Sequence, residues 1–157
     1  SPNTVFRYVN GEATFRGVDA SVTAAVTEGL TFDAGVTYLR GQDTELAEPA
    51  LGMAPFKTSF GLRYEEPLGR FYVEGSVNLV AEQKRNALTR GETETTGYET
   101  GDVRAGYGLP NGVTIRAGIL NVWDENYVDH LNAKNPFTGI QIAEPGRVLF
   151  VDVAWSP

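Results

Sequence analysis

The stretch Phe56-Lys57-Thr58-Ser59-Phe60-Gly61-Leu62-Arg63-Tyr64-Glu65-Glu66-Pro67-Leu68-Gly69-Arg70-Phe71-Tyr72-Val73-Glu74-Gly75-Ser76-Val77-Asn78-Leu79 holds the fold in miniature. Up to the turn, Phe56, Thr58, Phe60, Leu62 and Tyr64 alternate with Lys57, Ser59, Gly61, Arg63 and Glu65. After Glu66-Pro67-Leu68-Gly69 the split resumes, with Phe71, Val73, Gly75, Val77 and Leu79 against Tyr72, Glu74, Ser76 and Asn78. A period of two is the mark of a strand whose side chains point to opposite faces. A short break carrying Pro and Gly is a tight turn. The stretch therefore reads as a hairpin with one apolar and one polar face.

Outward from this hairpin the pattern repeats. A first strand covers roughly 13–27, with Val18, Ala20, Val22, Ala24 and Val26 opposite Asp19, Ser21, Thr23 and Ala25. Leu30, Phe32, Ala34, Val36 and Tyr38 then face away from Thr31, Asp33, Gly35 and Thr37. Downstream come Val103, Ala105 and Tyr107 against Asp102, Arg104 and Gly106, and Val113, Ile115, Ala117 and Ile119 against Thr114, Arg116 and Gly118. The last segment sets Leu149, Val151, Val153 and Trp155 against Phe150, Asp152 and Ala154. Seven strands follow one another with no helical period between them. Residues 4–12 carry β-formers (Val5, Phe6, Tyr8, Val9), but Asn10-Gly11 breaks the phase, so they read as a loop or a strand extension.

Connections fall into two alternating classes. Glu28-Gly29, Glu66-Pro67-Leu68-Gly69 and Leu109-Pro110-Asn111-Gly112 are tight turns, whereas 41–54, 83–97 and 123–145 far exceed an ordinary hairpin loop. Alternation of short and long puts every tight turn at one end of the sheet and every long loop at the other. That is the plan of an outer-membrane β-barrel.

Composition narrows the rest. The 157 residues suit one domain, and 41% hydrophobic content with 8 Phe and 7 Tyr excludes a disordered tail. A formal net charge of −7 leaves no chain-wide basic field for phosphates, which argues against a nucleic-acid partner. Zero cysteines excludes disulfides, thiolate metal sites and cysteine nucleophiles. No window approaches the ~20 apolar residues of a membrane-spanning helix. The start, Ser1-Pro2-Asn3-Thr4, has no signal-peptide pattern, which suggests a removed leader or a chain that begins inside something longer.

Alternation alone fits two architectures: a soluble, lipocalin-like module with the apolar parity around a small hydrophobic ligand, or a membrane barrel with that parity outside. Tyr38, Tyr64, Phe71, Tyr107, Trp123 and Trp155 near the strand ends suit two membrane interfaces. The polar parity carries Asp33, Arg63, Glu74, Asp102, Arg104, Arg116 and Asp152, charges of both signs that suit a wet lumen or a solvated sheet. Loop asymmetry favours the membrane barrel. A segment that does not close would leave open edges, which are untenable in lipid without partners or further strands.

Two runs carry a resemblance. Gly97-Tyr98-Glu99-Thr100-Gly101-Asp102-Val103-Arg104-Ala105-Gly106-Tyr107, and Asn111-Gly112-Val113-Thr114-Ile115-Arg116-Ala117-Gly118-Ile119-Leu120-Asn121-Val122-Trp123-Asp124-Glu125-Asn126-Tyr127, resemble the closing strands of TonB-dependent outer-membrane receptors. Glu144-Pro145-Gly146-Arg147 resembles the approach to their final strand, and Gly17-Val18-Asp19-Ala20 an earlier strand opening. The resemblance implies an all-β, antiparallel up-and-down transmembrane barrel of about 22 strands filled by an N-terminal plug. Residues 1–157 would be its C-terminal part, about seven strands, without the plug or a TonB-contacting segment. It further implies an integral bacterial outer-membrane protein for TonB-dependent uptake of a metal chelate, siderophore or metal complex. Its partners would be outer-membrane lipid, the missing plug and strands, the TonB complex through that plug, and the barrel assembly machinery. The tract Asp129-His130-Leu131-Asn132 with Asn135-Pro136-Phe137-Thr138-Gly139 looks most like the metal and siderophore group, including its copper-receptor branch. One departure is the end, Trp155-Ser156-Pro157, where family members finish on an aromatic residue.

For the site, Arg63, Glu74, Asp102, Arg104, Arg116 and Asp152 are expected on the lumen side. Tyr127, Asp129, His130 and Asn132 are the expected ligand contacts in the last long loop. The lone histidine, His130, with Asp124, Glu125 and Asp129 near it in sequence, makes no convergent metal site and reads first as a solvated loop residue. No cofactor is implied. Gly106-Tyr107-Gly108 runs into Pro110 with no helix to hold a pyrophosphate. Adjacent Glu65 and Glu66 point to opposite faces, and no nucleophile elbow occurs, so no enzymatic activity is expected.

Overall fold

The computed structural model describes residues 10–156. Its strands are β1 (Ala13–Thr27), β2 (Leu30–Asp43), β3 (Glu48–Pro49), β4 (Lys57–Glu65), β5 (Phe71–Val80), β6 (Tyr98–Gly108), β7 (Val113–Leu120) and β8 (Val148–Trp155). They form one antiparallel sheet in the order β1-β2-β4-β5-β6-β7-β8, with β3 against the end of β2. Long strands that are neighbours in the chain are neighbours in the sheet, the up-and-down plan that tight turns impose. Left-handed Gly29 and Gly112 (φ 78° in both) sit in two of those turns, each with a backbone carbonyl where a β-carbon would stand.

The seven expected strands are all present, with two differences at the loop end. β2 continues to Asp43 and pairs back with β3, Gln42 opposite Pro49 and Asp43 opposite Glu48. The Asp43 carboxylate makes this local fold, because its Oδ1 accepts from the N–H groups of Glu45 and Leu46, both at 3.0 Å. Phe56 lies just before β4 rather than in it, with its ring tilted against Tyr38 at 6.4 Å. Val5, Phe6, Tyr8 and Val9 lie outside the described residues.

Register preserves the two faces across the sheet. Phe32 stands opposite Leu62, Phe60 opposite Val77, Tyr107 opposite Ile115 and Ile115 opposite Val153. Between them run the polar pairs Arg63 with Glu74, Glu74 with Arg104, and Arg116 with Asp152. The apolar face is the open one: Val22, Phe60, Leu62, Val103 and Val151 are all exposed, whereas Glu74, Ser76, Asn78, Thr100 and Gly106 on the polar face are half-buried or buried. Among the described residues no large apolar side chain is fully buried, and the only buried apolar residues, Ala50, Met53, Val80 and Ala87, lie at the loop end. A soluble module enclosing a hydrophobic ligand would need the reverse. Each Val or Leu left outside forgoes about 1.5–3 kcal/mol of burial in water, so this face requires an apolar partner.

Aromatic rings mark its two borders. At the turn end Tyr64 and Phe71 lie 5.9 Å apart, Tyr107 stands opposite Phe71, and Trp155 stands opposite Val113 at the end of β8. At the loop end stand Tyr38, Phe56 and Trp123. From Phe56 to Tyr64 is about 26 Å along the chain at ~3.3 Å per residue, or about 20 Å of height for a strand tilted ~40°. That matches the apolar band of a transmembrane barrel, ~25 Å tall.

Candidate functional site

The polar face carries a connected line of charge. Arg63 donates to Glu65 at 2.9 Å and to Glu74 at 2.8 Å, and Arg104 donates to Glu74 at 3.3 Å and to Asp102 at 2.9 Å. Strand pairing makes this possible, since Arg63, Glu74 and Arg104 are successive cross-strand partners. The Arg63 guanidinium also lies 3.8 Å from the centre of the Tyr72 ring, which in turn covers Gly106. Arg116 and Asp152 form a separate, exposed pair at 3.1 Å. Asp33 accepts from the Thr23 hydroxyl at 2.6 Å. The six charges expected on the lumen side are thus paired with one another, in two groups, and Asp33 stands apart from them.

Asp102 joins this line to the last long loop, since its Oδ1 accepts from the Asn121 N–H at 3.0 Å. Asn121 turns the chain with φ 51°, and its side-chain amide both donates to the Glu125 carbonyl (2.8 Å) and accepts from the Glu125 N–H (2.9 Å). Two residues on, the Trp123 ring lies flat over Gly101, where a β-carbon would come within 2.8 Å of it. Asp124 accepts from the Arg147 N–H at 2.7 Å, which leads the chain into β8. Each residue of the Asn121-Val122-Trp123-Asp124 run other than Val122 therefore has a side-chain task at this corner, and Val122 contributes its carbonyl to Arg147 Nε at 3.1 Å.

Between this corner and the polar face lies a cavity of about 390 Å³, walled by Lys57, Asp102, Tyr98, Tyr127, Asp129 and Glu144 among others. The Tyr98 and Tyr127 rings stack at 4.0 Å, and the Tyr98 hydroxyl donates to Asp129 at 2.9 Å. Burial pushes the Tyr127 phenol up from its ordinary value, and the charges of Glu144, Asp129 and Asp102 push it further the same way. The ring therefore presents a neutral hydroxyl beside three carboxylates.

Of the four expected contacts, Tyr127 and Asp129 face this cavity and the other two do not. Asn132 spends its amide on the Ile142 carbonyl (2.9 Å) and on Glu144 (2.8 Å). His130 is buried, not solvated: its side chain is 1% exposed, with Nδ1 3.0 Å from the Thr95 hydroxyl and Nε2 3.5 Å from Glu92. Asp124, Glu125 and Asp129 are its neighbours in the chain, whereas Glu92, the carboxylate beside its ring, comes from the loop before. Lys57, Tyr98 and Glu144 also wall the cavity, beyond the contacts expected from the sequence. Tyr98 and Lys57 end their strands on the polar parity at the loop end, which was the available signal.

The model for the TonB-dependent receptor-like β-barrel matches residues 1–122. The chain belongs to the TonB-dependent receptor β-barrel family. No curated protein matches it. Among solved structures, the copper transporter OprC superposes with a TM-score of 0.84 at 24% identity over 94% of this chain and 24% of that one. The ferric yersiniabactin uptake receptor FyuA from Yersinia pestis gives 0.72 at 16% identity, over 91% of this chain and 23% of that one. For the FrpB iron transporter from Neisseria meningitidis the values are 0.70 and 15%, over 91% and 24%. These likenesses are of fold. This TonB-dependent receptor chain spans about a quarter of the length of those relatives.

Proposed function

We propose that the chain is the C-terminal part of an outer-membrane receptor that takes up a metal chelate, a siderophore complex or another metal complex, by TonB-dependent transport. In this reading the apolar face meets outer-membrane lipid, and the polar face with its line of charge looks into the lumen. The edges of β1 and β8, unpaired among the described residues, join further strands of the same receptor. Its plug fills the lumen and contacts the TonB complex, and the barrel assembly machinery inserts the whole.

The observation that carries this reading is the cavity at the loop end, where Tyr98, Tyr127 and Asp129 form one wall on the polar face. A rigid aromatic pair beside carboxylates suits a compact complex with a ring or chelate plane. Three carboxylates, Asp102, Asp129 and Glu144, against the single cation Lys57 favour a neutral or cationic complex over a polyanionic one. The test is uptake of labelled ferric hydroxamate, ferric catecholate and copper complexes by cells expressing the complete receptor. Uptake of one class, reduced about tenfold by Asp129→Ala or Tyr127→Ala, is expected. Uptake of none, or of one class undisturbed by either substitution, would overturn it.

A further inference from the structure

Arg16 of β1 and Arg40 of β2 are direct cross-strand partners. They share the parity of Val18 with Tyr38, Ala20 with Val36 and Val22 with Ala34, so both arginines stand on the apolar face. Both residues are exposed. Like charges directly opposite one another on a sheet repel, which makes this pair unfavourable unless an anion lies between them.

Among the described residues no carboxylate answers either charge. The ion pairs lie elsewhere, as from Arg63 and Arg104 to Glu74, from Arg90 to Asp43 and from Arg116 to Asp152. Glu82, which borders a neighbouring recess together with Arg40, is taken by Lys84 at 2.7 Å. Arg85 adds a third cation at the same corner, where it donates to Gln42 Oε1 at 3.1 Å, and Gln42 stands opposite Thr14 on the parity of the two arginines.

A recess of about 560 Å³ is walled by Thr14, Arg16, Tyr38, Arg40 and Gln42. Its lining supplies two guanidinium forks, two hydroxyls and an amide, with no carboxylate. A guanidinium fork matches two oxygens of a phosphate. Arg40 lies two residues beyond Tyr38, about 7 Å along the strand, so the recess sits just outside the aromatic border at the level of lipid headgroups. On its other side Val18, Ala20 and Val36 continue the apolar face. An occupant that suits both parts carries negative charge at one end and apolar chains at the other.

We propose that this recess binds the phosphate of an anionic lipid in the leaflet at the loop end, with the acyl chains laid along β1 and β2. The forks of Arg16 and Arg40 hold the phosphate oxygens, and its charge relieves their repulsion. The site rests on the reading that the apolar face meets lipid, and adds to it where a lipid is held and by which headgroup chemistry.

The test uses the complete receptor in non-ionic detergent, titrated with phosphatidic acid, with phosphatidylcholine or with inorganic phosphate, and weighed by native mass spectrometry. Phosphatidic acid is expected to bind more tightly than phosphatidylcholine of the same chains, which has no net charge. Arg40→Gln should weaken the first phosphatidic acid about fivefold, and Arg16→Gln with Arg40→Gln on the order of 25-fold, with phosphatidylcholine binding and heat-dependent gel mobility unchanged. No preference for phosphatidic acid would overturn the proposal whether or not the variants fold. A preference that persists in the double variant would overturn it as well, as would displacement of the lipid by excess inorganic phosphate at matched ionic strength. A nitroxide at Val22→Cys, further along the same face in the lipid-embedded receptor, separates this site from the reading beneath it. Collision with oxygen favoured over a water-soluble nickel chelate keeps the lipid-facing reading even where the lipid preference fails, and the reverse would overturn both.

Discussion

Glu74 is the hinge of the charge line, and replacing it by Gln puts the energetics of the polar face to a quantitative test. The substitution keeps shape and volume but removes the negative charge between Arg63 at 2.8 Å and Arg104 at 3.3 Å. A hydrogen bond to a charged group is worth about 1.5–3 kcal/mol when shielded. Here the three side chains are 27%, 35% and 36% exposed, which screens each bond to roughly 1 kcal/mol. Each arginine keeps a second carboxylate, Glu65 or Asp102. The expected loss is therefore about 1–2 kcal/mol, roughly a 5- to 30-fold change in the ratio of folded to unfolded protein. Urea titration of the complete receptor in lipid, read by heat-dependent gel mobility, measures it. A cycle with Arg63→Met should give a coupling of about 1 kcal/mol that shrinks in about 1 M salt, where screening acts within ~3 Å. A coupling below about 0.3 kcal/mol, or one indifferent to salt, would show that the line is drawn by geometry and holds nothing.

Three further outcomes follow from the faces and the loop corner. Val77 and Ser76 are adjacent in β5 on opposite faces; Val77→Arg, midway between the aromatic borders, should destabilise the inserted barrel by about 2–4 kcal/mol, and Ser76→Arg by much less, in the same urea titration. Gly101→Val should push the Trp123 ring from its seat, with a shift of its fluorescence in a Trp155→Phe background and a destabilisation of about 1–3 kcal/mol. The raised Tyr127 phenol keeps its proton in the folded state above pH 10.0, where the unfolded chain gives its proton up. Its contribution to stability is therefore lost as pH rises from the ordinary value through the folded one, and Tyr127→Phe should reduce the alkaline loss in a pH series of unfolding curves, the share of the likewise raised Tyr98 remaining.

The wall was legible in the sequence because a period of two leaves little freedom. Once Phe60 is assigned to one face, Gly61, Leu62 and Arg63 are assigned too, and the turn at Glu66-Pro67-Leu68-Gly69 hands the phase on to Phe71. Cross-strand partners such as Arg63 and Glu74 follow from the register that this turn imposes. Long loops have no such rule. Whether His130 is solvated depends on Glu92 and Thr95, 38 and 35 positions earlier, and no local pattern connects them. Likewise the two-residue β3 exists because Asp43 caps a turn that brings Glu48 back, a long-range consequence of one carboxylate. The Asn121-Val122-Trp123-Asp124 corner lies between these cases: it was recognisable as a motif, and the tasks of its side chains became plain only in three dimensions.

The proposed orientation sets the apolar parity against lipid and the polar parity toward the aqueous lumen. It is tested most directly by a nitroxide scan of single cysteines along Phe71–Val80 in the lipid-embedded receptor, measuring collision with oxygen and with a water-soluble nickel chelate. A period of two is expected, with oxygen favoured at Val73, Gly75, Val77 and Leu79 and nickel at Glu74, Ser76 and Asn78. The opposite phase, or no period at all, would contradict it.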